Sequence, residues 1–317
     1  MLKYTLQRLF SLIPILLVVA IIVFFLAHMT PGDPVTVLLG DEATEEAKAE
    51  LRHELGFDLP IYTQFWEWII GVFTGDLGES FFLKKPVTEV FADYLGPTIS
   101  LAIYAQLIAI VISLILGVIA AKRRGTLVDQ TVTGFSLLGI SVPSFLVGLF
   151  LILIFAVQLQ WFPVAGYSPL SAGLFEHIRY LTLPAIALGM MQAGLITRMT
   201  RSSMLDVMKE NYIKTAKSKG LHQNKITYKH ALRNSFIPIL TVIGESFGTL
   251  ITGAAVVETV FNIPGIGQLI VNSIERRDFA VIQGTVLLIT VTYVLLNLIV
   301  DLLYGTVDPR VRLNQKK

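Results

Sequence analysis

Six apolar runs, each long enough to cross a lipid bilayer, govern what this chain can fold into. They cover about Leu9–Met29, Thr98–Ala121, Val132–Val157, Leu181–Met199, Ser235–Val257 and Val281–Tyr304. A helix rises about 1.5 Å per residue, so about 20 apolar residues traverse a hydrocarbon core of about 30 Å. Inside lipid the backbone must satisfy its own hydrogen bonds, and runs of this length do so as helices. The expected fold class is therefore an all-α polytopic membrane protein with six transmembrane helices. Composition agrees, since 54% of the 317 residues are hydrophobic and mean hydropathy is +0.68; a water-soluble domain is far more polar. The first run follows Lys3 and Arg8, the charge order of a signal peptide. A signal core is shorter and ends in a small-residue cleavage site, so this run reads as a retained span with Pro14 as a tolerated kink.

Orientation follows from the basic residues between the runs. Eighteen of the 25 Lys and Arg lie before the first run, in 122–131, in 198–234 or after the last run; seven lie in 30–97, 158–180 and 258–280. The expected topology thus places both termini and the 200–234 segment in the cytoplasm. The expected divisions are 1–29 for the N-terminal end and first helix, 30–97 for an extracytoplasmic loop domain, 98–304 for a five-helix core and 305–317 for a cytoplasmic tail. The outer segment 30–96 is acidic, with 13 Asp and Glu against four Lys and Arg. Thr44 is placed to cap a short helix with Glu45 and Glu46 favourable to its dipole, and Ala47, Leu51 and Leu55 give that helix an apolar stripe up to Gly56. Pro60 opens a second helix through Tyr62, Phe65, Trp66 and Ile69, aromatics suited to a membrane surface. The segment reads either as a lid on the outer face or as a docking site for an external partner.

The long basic stretch from Asn211 to Pro238, between two apolar runs, reads as helix, glycine, helix. Ser202 or Ser203 is the expected cap, Met204, Met208 and Tyr212 recur on one face, and Gly220 stops the first arm in a left-handed turn. The second arm carries Ile226, Leu232 and Phe236 among Lys225, Lys229 and Arg233. A basic hairpin with an apolar face beside a membrane is a docking surface, for lipid headgroups or for a partner protein. The apolar residues and neighbouring spans make nucleic acid an improbable partner.

Other chemistry is mostly excluded. There are no cysteines, hence no thiolate site. Gly-Lys never occurs, so a phosphate-cradling P-loop is absent and any ATP is hydrolysed by another subunit. No residues have metal-ligand spacing. Gly244-Glu245-Ser246-Phe247-Gly248 matches a nucleophile elbow, which needs a strand–turn–helix context; within a membrane run, glycines four apart serve close helix packing instead. Glu245 is a carboxylate near mid-membrane, which makes it a candidate lining for a path, with Ser246 and Thr249 beside it; a buried hydrogen bond to Thr241, Thr249 or a neighbouring helix is the equal alternative. Glu258 is expected to cap or orient the turn VVETVFNIPGIG. Asn297, Asp301 and Tyr304 share one face and read as anchors, while Arg198 and Arg201 read as snorkelling cations.

Five ordered motifs and the hairpin then identify a family. YIKTAKSKG, nine residues, then HAL and RN resemble the EAA loop of ABC importer permeases. TPGDP after the first span, SVPSF at Ser141–Phe145, RSSM at Arg201–Met204, VVETVFNIPGIG and YGTVDPRVR are similar to the first permease subunit of the dipeptide, oligopeptide and nickel branch. Lys214 stands where the general loop has Glu, and Arg233 where it has Pro. The resemblance implies a type I importer permease that forms a translocation path for di- or oligopeptides with a second, homologous permease. A permease for nickel or a metal chelate is the alternative within the family, and a passive channel the alternative outside it. It also implies two cytoplasmic ABC ATPases using ATP and Mg, an extracytoplasmic substrate-binding protein, no cofactor bound by this chain itself, and a bacterial or archaeal inner-membrane location. The ATPase-coupling residues would be Tyr212, Lys214, Thr215, Ala216, Lys217, Gly220, Leu221, His230, Ala231 and Leu232, with the hairpin's apolar face inserted in an ATPase groove.

Overall fold

A computed structural model describes the backbone of residues 2–29, 32–40 and 42–307, and the side chains of 13–29, 32–40 and 42–300. The described residues are almost entirely helical, apart from one isolated bridge between Glu79 and Pro86. Two compact units are distinguishable, one holding the chain up to Gly96 with Gly265–Leu298, the other Pro97–Pro264 with the end of the last helix.

In the first unit, α1 (Leu2–Met29) is continuous through Pro14. Three short helices follow: α2 (Pro34–Leu39), α3 (Glu45–Glu54) and α4 (Ile61–Thr74). Thr44 caps α3 as expected, its Oγ1 accepting from Ala47 N at 3.3 Å, and Asp33 caps α2 while also accepting from Arg52 at 2.6 Å. The helix α4 lies against α1 through Phe24, whose ring meets Phe65 at 5.2 Å and Trp68 at 5.6 Å. The same unit contains α12 (Ile266–Arg276) and the start of α13 (Phe279–Val307). At their junction the buried carboxylate of Asp278 accepts from Ser80 Oγ at 2.6 Å.

The second unit is built on the rest of α5 (Val87–Lys122), on α6 (Leu127–Ser141) and α7 (Ser144–Leu151), and on α8 (Leu174–Val207). It continues with α9 (Asn211–Ser218), α10 (Gln223–Lys225) and α11 (Arg233–Phe261), a π-helical stretch at Ile226–Leu232 joining the last two. Small residues let these helices approach: a Cβ on Gly194 would stand 2.5 Å from Ser136 O, and one on Gly189 2.7 Å from Ala105 O. Small-residue contacts of this kind are how membrane helices gain packing without a hydrophobic driving force.

Among the described residues, four helices have the length and apolarity to cross a membrane: Val87–Lys122, Leu174–Val207, Gln223–Phe261 and Phe279–Val300. The apolar run at Val132–Val157 is not one continuous helix. It is a broken pair, Leu127–Ser141 and Ser144–Gln158, bent by 105°. Pro143 has no N–H to offer and forces the residue before it out of the helical region, and Val142 is accordingly extended at φ −85°, ψ 125°. The cap expected at Ser202 or Ser203 is corrected, since α8 runs through both to Val207.

Candidate functional site: a cavity beside a broken helix and a basic hairpin

The break in the bent pair is one wall of a cavity of about 680 Å³ within the second unit. Ile140–Ser144 form that wall, α8 adds Leu188, Met191, Gln192 and Leu195, and α11 adds Val242, Glu245, Ser246, Thr249, Thr252 and Gly253. The three residues singled out from the sequence therefore meet in one place. Glu245 and Thr249 are exposed there, and Glu245 is the single charged group of the lining. Ser246 is buried; its hydroxyl lies 3.1 Å from Gln106 Oε1 and 2.7 Å from Ile243 O. GESFG sits mid-helix in α11, so the strand–turn–helix of a nucleophile elbow is absent.

Sequence reasoning missed Gln192, Thr252 and Gly253. Thr241, Glu245, Thr249 and Thr252 are all exposed at spacings of four, four and three on α11, which sets a polar stripe along one face; that spacing was legible beforehand. Gln192 was not. It is 5% exposed and its Nε2 donates to Thr249 Oγ1 at 2.6 Å. Thr249 Oγ1 also lies 2.8 Å from Ser246 O.

The hairpin begins after a turn at Met208–Glu210. Gly220 is left-handed at φ +75°, ending α9 as expected. Tyr212, Lys214, Thr215, Lys217 and Gly220 are exposed, Ala216, Leu221, His230 and Leu232 half-buried, and Ala231 buried. Asn234 Nδ2 donates to Tyr212 OH at 2.8 Å and Lys122 Nζ to Asn224 Oδ1 at 3.1 Å. The apolar face expected to be free is largely used within the chain. Ile213 and Ile226 are buried, and Ala231 packs with Val118, Ala121 and Met204. The hairpin leaves outside its lysines and Arg233 together with Tyr212, Tyr228, Phe236 and Ile237.

One further sequence reading changes. Arg201 does not snorkel; it makes a two-pronged pair with the buried Asp129, Nε to Oδ1 at 2.6 Å and Nη2 to Oδ2 at 2.8 Å. Glu258 is fully buried and accepts from Thr98 Oγ1 at 2.6 Å, tying the C-terminal end of α11 to α5. Arg198 is exposed. The side chains of Asp301 and Tyr304 lie outside the described residues.

Residues 113–313 match the family described as "Binding-protein-dependent transport system inner membrane component", and residues 1–102 match its N-terminal counterpart. "Probable peptide ABC transporter permease protein y4tP" of Sinorhizobium fredii is 43% identical over 98% of this chain and 99% of that protein. "Glutathione transport system permease protein GsiC" of Salmonella typhi is 41% identical over 98% and 99%. Among solved structures, a chain of the inward-facing MetNI methionine ABC transporter superposes with a TM-score of 0.58 at 17% identity, over 70% of this chain and 97% of that one, a likeness of fold alone.

Proposed function

This chain belongs to the family of inner membrane components of binding-protein-dependent transport systems, and we propose that it is the six-span permease half of an ATP-driven importer of short peptides. The 680 Å³ cavity, with Glu245 as its lone charge and the exposed Thr241–Thr252 stripe beside it, carries the reading. A span tolerates such a polar face when it borders water or substrate. The names of the relatives, peptide and glutathione permeases, support a peptide cargo. Glu245 then attracts the ammonium end of the cargo, Thr249 and Thr252 offer hydroxyls, and Ser246 holds α11 to α5 rather than touching substrate.

The open side of the cavity is closed by a second, homologous permease. Two cytoplasmic ATPases consume ATP and Mg, and an extracytoplasmic binding protein delivers the cargo. Both termini lie in the cytoplasm of a bacterial or archaeal cell. The hairpin couples the ATPases to the spans. Its buried residues, Ile213, Ile226 and Ala231, fasten it to this chain, while Tyr212, Lys214, Thr215, Lys217 and the Gly220 turn face the ATPase. Mild-detergent capture of the chain from its own membrane, followed by mass spectrometry, tests this. A second permease, P-loop ATPases and a secreted receptor are expected, and the recovered set should take up labelled di- and tripeptides only with ATP. Recovery of the chain alone, even after crosslinking, overturns the importer.

A further inference from the structure

Within the first unit, α4 does not sit at the end of α1 but runs down its side. The His28 ring meets Gln64 Oε1 at 3.1 Å, Phe24 meets Phe65 and Trp68, and Ala20 packs with Ile69. One turn further, Val72 and Phe73 share an apolar cavity with Leu16 and Leu17. The contacts descend from His28 to Leu16, about 18 Å at the rise of an α-helix, against about 15 Å for the hydrocarbon of one leaflet. Gly75, at φ +87°, then turns the chain, and it climbs back beside the start of α13 until Ser80 reaches Asp278.

The free side of α4 is divided. Tyr62, Trp66, Ile70 and Phe73 are 59–77% exposed and fall within an arc of about 80° at 100° per residue. Thr63, Glu67 and Thr74 occupy the next arc round. The apolar arc continues the exposed apolar face of α1: Phe25 stacks on Phe65 at 6.2 Å, and Phe65 meets Trp66 edge-on at 5.9 Å. Ile21, Ile22 and Leu26 of α1 are likewise exposed. An apolar face this wide is not kept in water.

We infer that α4 is a re-entrant helix embedded in the outer leaflet beside α1, its Tyr62–Trp66–Ile70–Phe73 face covered by lipid acyl chains. The inference rests on α1 being a membrane span and is independent of the cargo. The non-helical return at Gly75–Ser80 is sustained at that depth because buried Leu77 packs on Val87 and Val281, buried Ser80 bonds Asp278, and exposed Asp76 and Glu79 lie on the polar flank, where the proposal places water.

The chain has no cysteine of its own, so spin labels can be placed singly at Trp66→Cys, Ile70→Cys and Phe73→Cys, with Glu67→Cys as the control for the polar arc. Cysteines of co-purifying subunits are replaced first. In proteoliposomes holding the chain with those subunits, oxygen should relax the three apolar-arc labels several-fold more than a water-soluble nickel chelate does, increasingly so from Trp66 to Phe73. The Glu67 label should lack that signature. Stronger relaxation by the chelate at the apolar arc means an aqueous outer domain and overturns the inference; weak relaxation by both reagents means a protein covers the face and overturns it equally. Should the labelled variants fail to assemble, photoreactive acyl-chain lipid on the unaltered protein gives the same decision, through adducts on Trp66–Phe73 or their absence.

Discussion

At the residue scale, the ion pair between Asp129 and Arg201 is the contact with most at stake. The Asp129 side chain is 6% exposed and that of Arg201 30%, and Gly125 N adds a third bond to the carboxylate at 2.9 Å. Removing one member of a buried pair strands the other charge, at a cost of about 3–5 kcal/mol. Arg201→Met strands the more buried partner, so its thermal midpoint in detergent should fall further than that of Asp129→Asn. The double variant should recover most of the loss, and a purely additive double variant would reduce the pair to two unrelated contacts. Asp278 offers a different test. Burial pushes its carboxyl above the ordinary value of 3.8, against the opposing bond from Ser80. The folded protein therefore holds this proton to higher pH than the unfolded chain. The contribution is complete below the ordinary value and is lost as pH rises through the raised one. Thermal midpoints measured across that window should decline for the native chain and decline less for Asp278→Asn.

At the scale of elements, Gly220 decides whether the hairpin can act as one piece. Nothing lies within 4 Å of where its Cβ would stand, so Gly220→Val meets no clash and the penalty is the left-handed backbone alone, about 1–2 kcal/mol. The arms are expected to reorient while the spans insert normally. Uptake should be lost with ATP hydrolysis continuing, and normal uptake by this variant would remove the coupling role. This turn was legible in the sequence, as were the Thr44 cap, the Pro60 start and most of the apolar runs, because each depends on neighbours within a few residues. The break at Val142–Pro143 was half legible: SVPSF stood out as a motif, yet the run on either side reads as continuous, and a 105° bend is set by what packs around it. The contacts that build the cavity were not legible. Gln192 meets Thr249 across 57 positions, Ser246 meets Gln106 across 140, and Thr98 meets Glu258 across 160. Nothing in local spacing distinguishes such partners from any other Thr or Gln in an apolar run. The hairpin's apolar face divides for the same reason, Met204 and Ile226 being buried within the chain and Tyr212 and Phe236 exposed, since periodicity identifies an apolar face without saying whose surface buries it.

For the molecule as a whole, the decisive property is that its polar stripe is open. Thr241, Glu245, Thr249 and Thr252 are exposed along α11, and the last three line the cavity with Ile140–Ser144 and Gln192. A channel complete in one chain would enclose such groups, because polar side chains facing lipid are costly. On the proposed reading the cavity is half of a path that a second permease seals, and the energy for transport is delivered from outside this chain. Purified alone in liposomes, the chain should pass neither labelled dipeptide nor protons above the level of empty vesicles. Restoring its co-purified companions, the secreted receptor included, should produce uptake that needs ATP and stops when the receptor is left out. Glu245→Gln in that complete system should weaken uptake of peptides with a free amino terminus more than of N-acetylated ones, since only the former present a cation to the carboxylate. A steady dipeptide flux through the chain alone, unaffected by ATP, would instead make it a channel whose basic hairpin rests on anionic lipid.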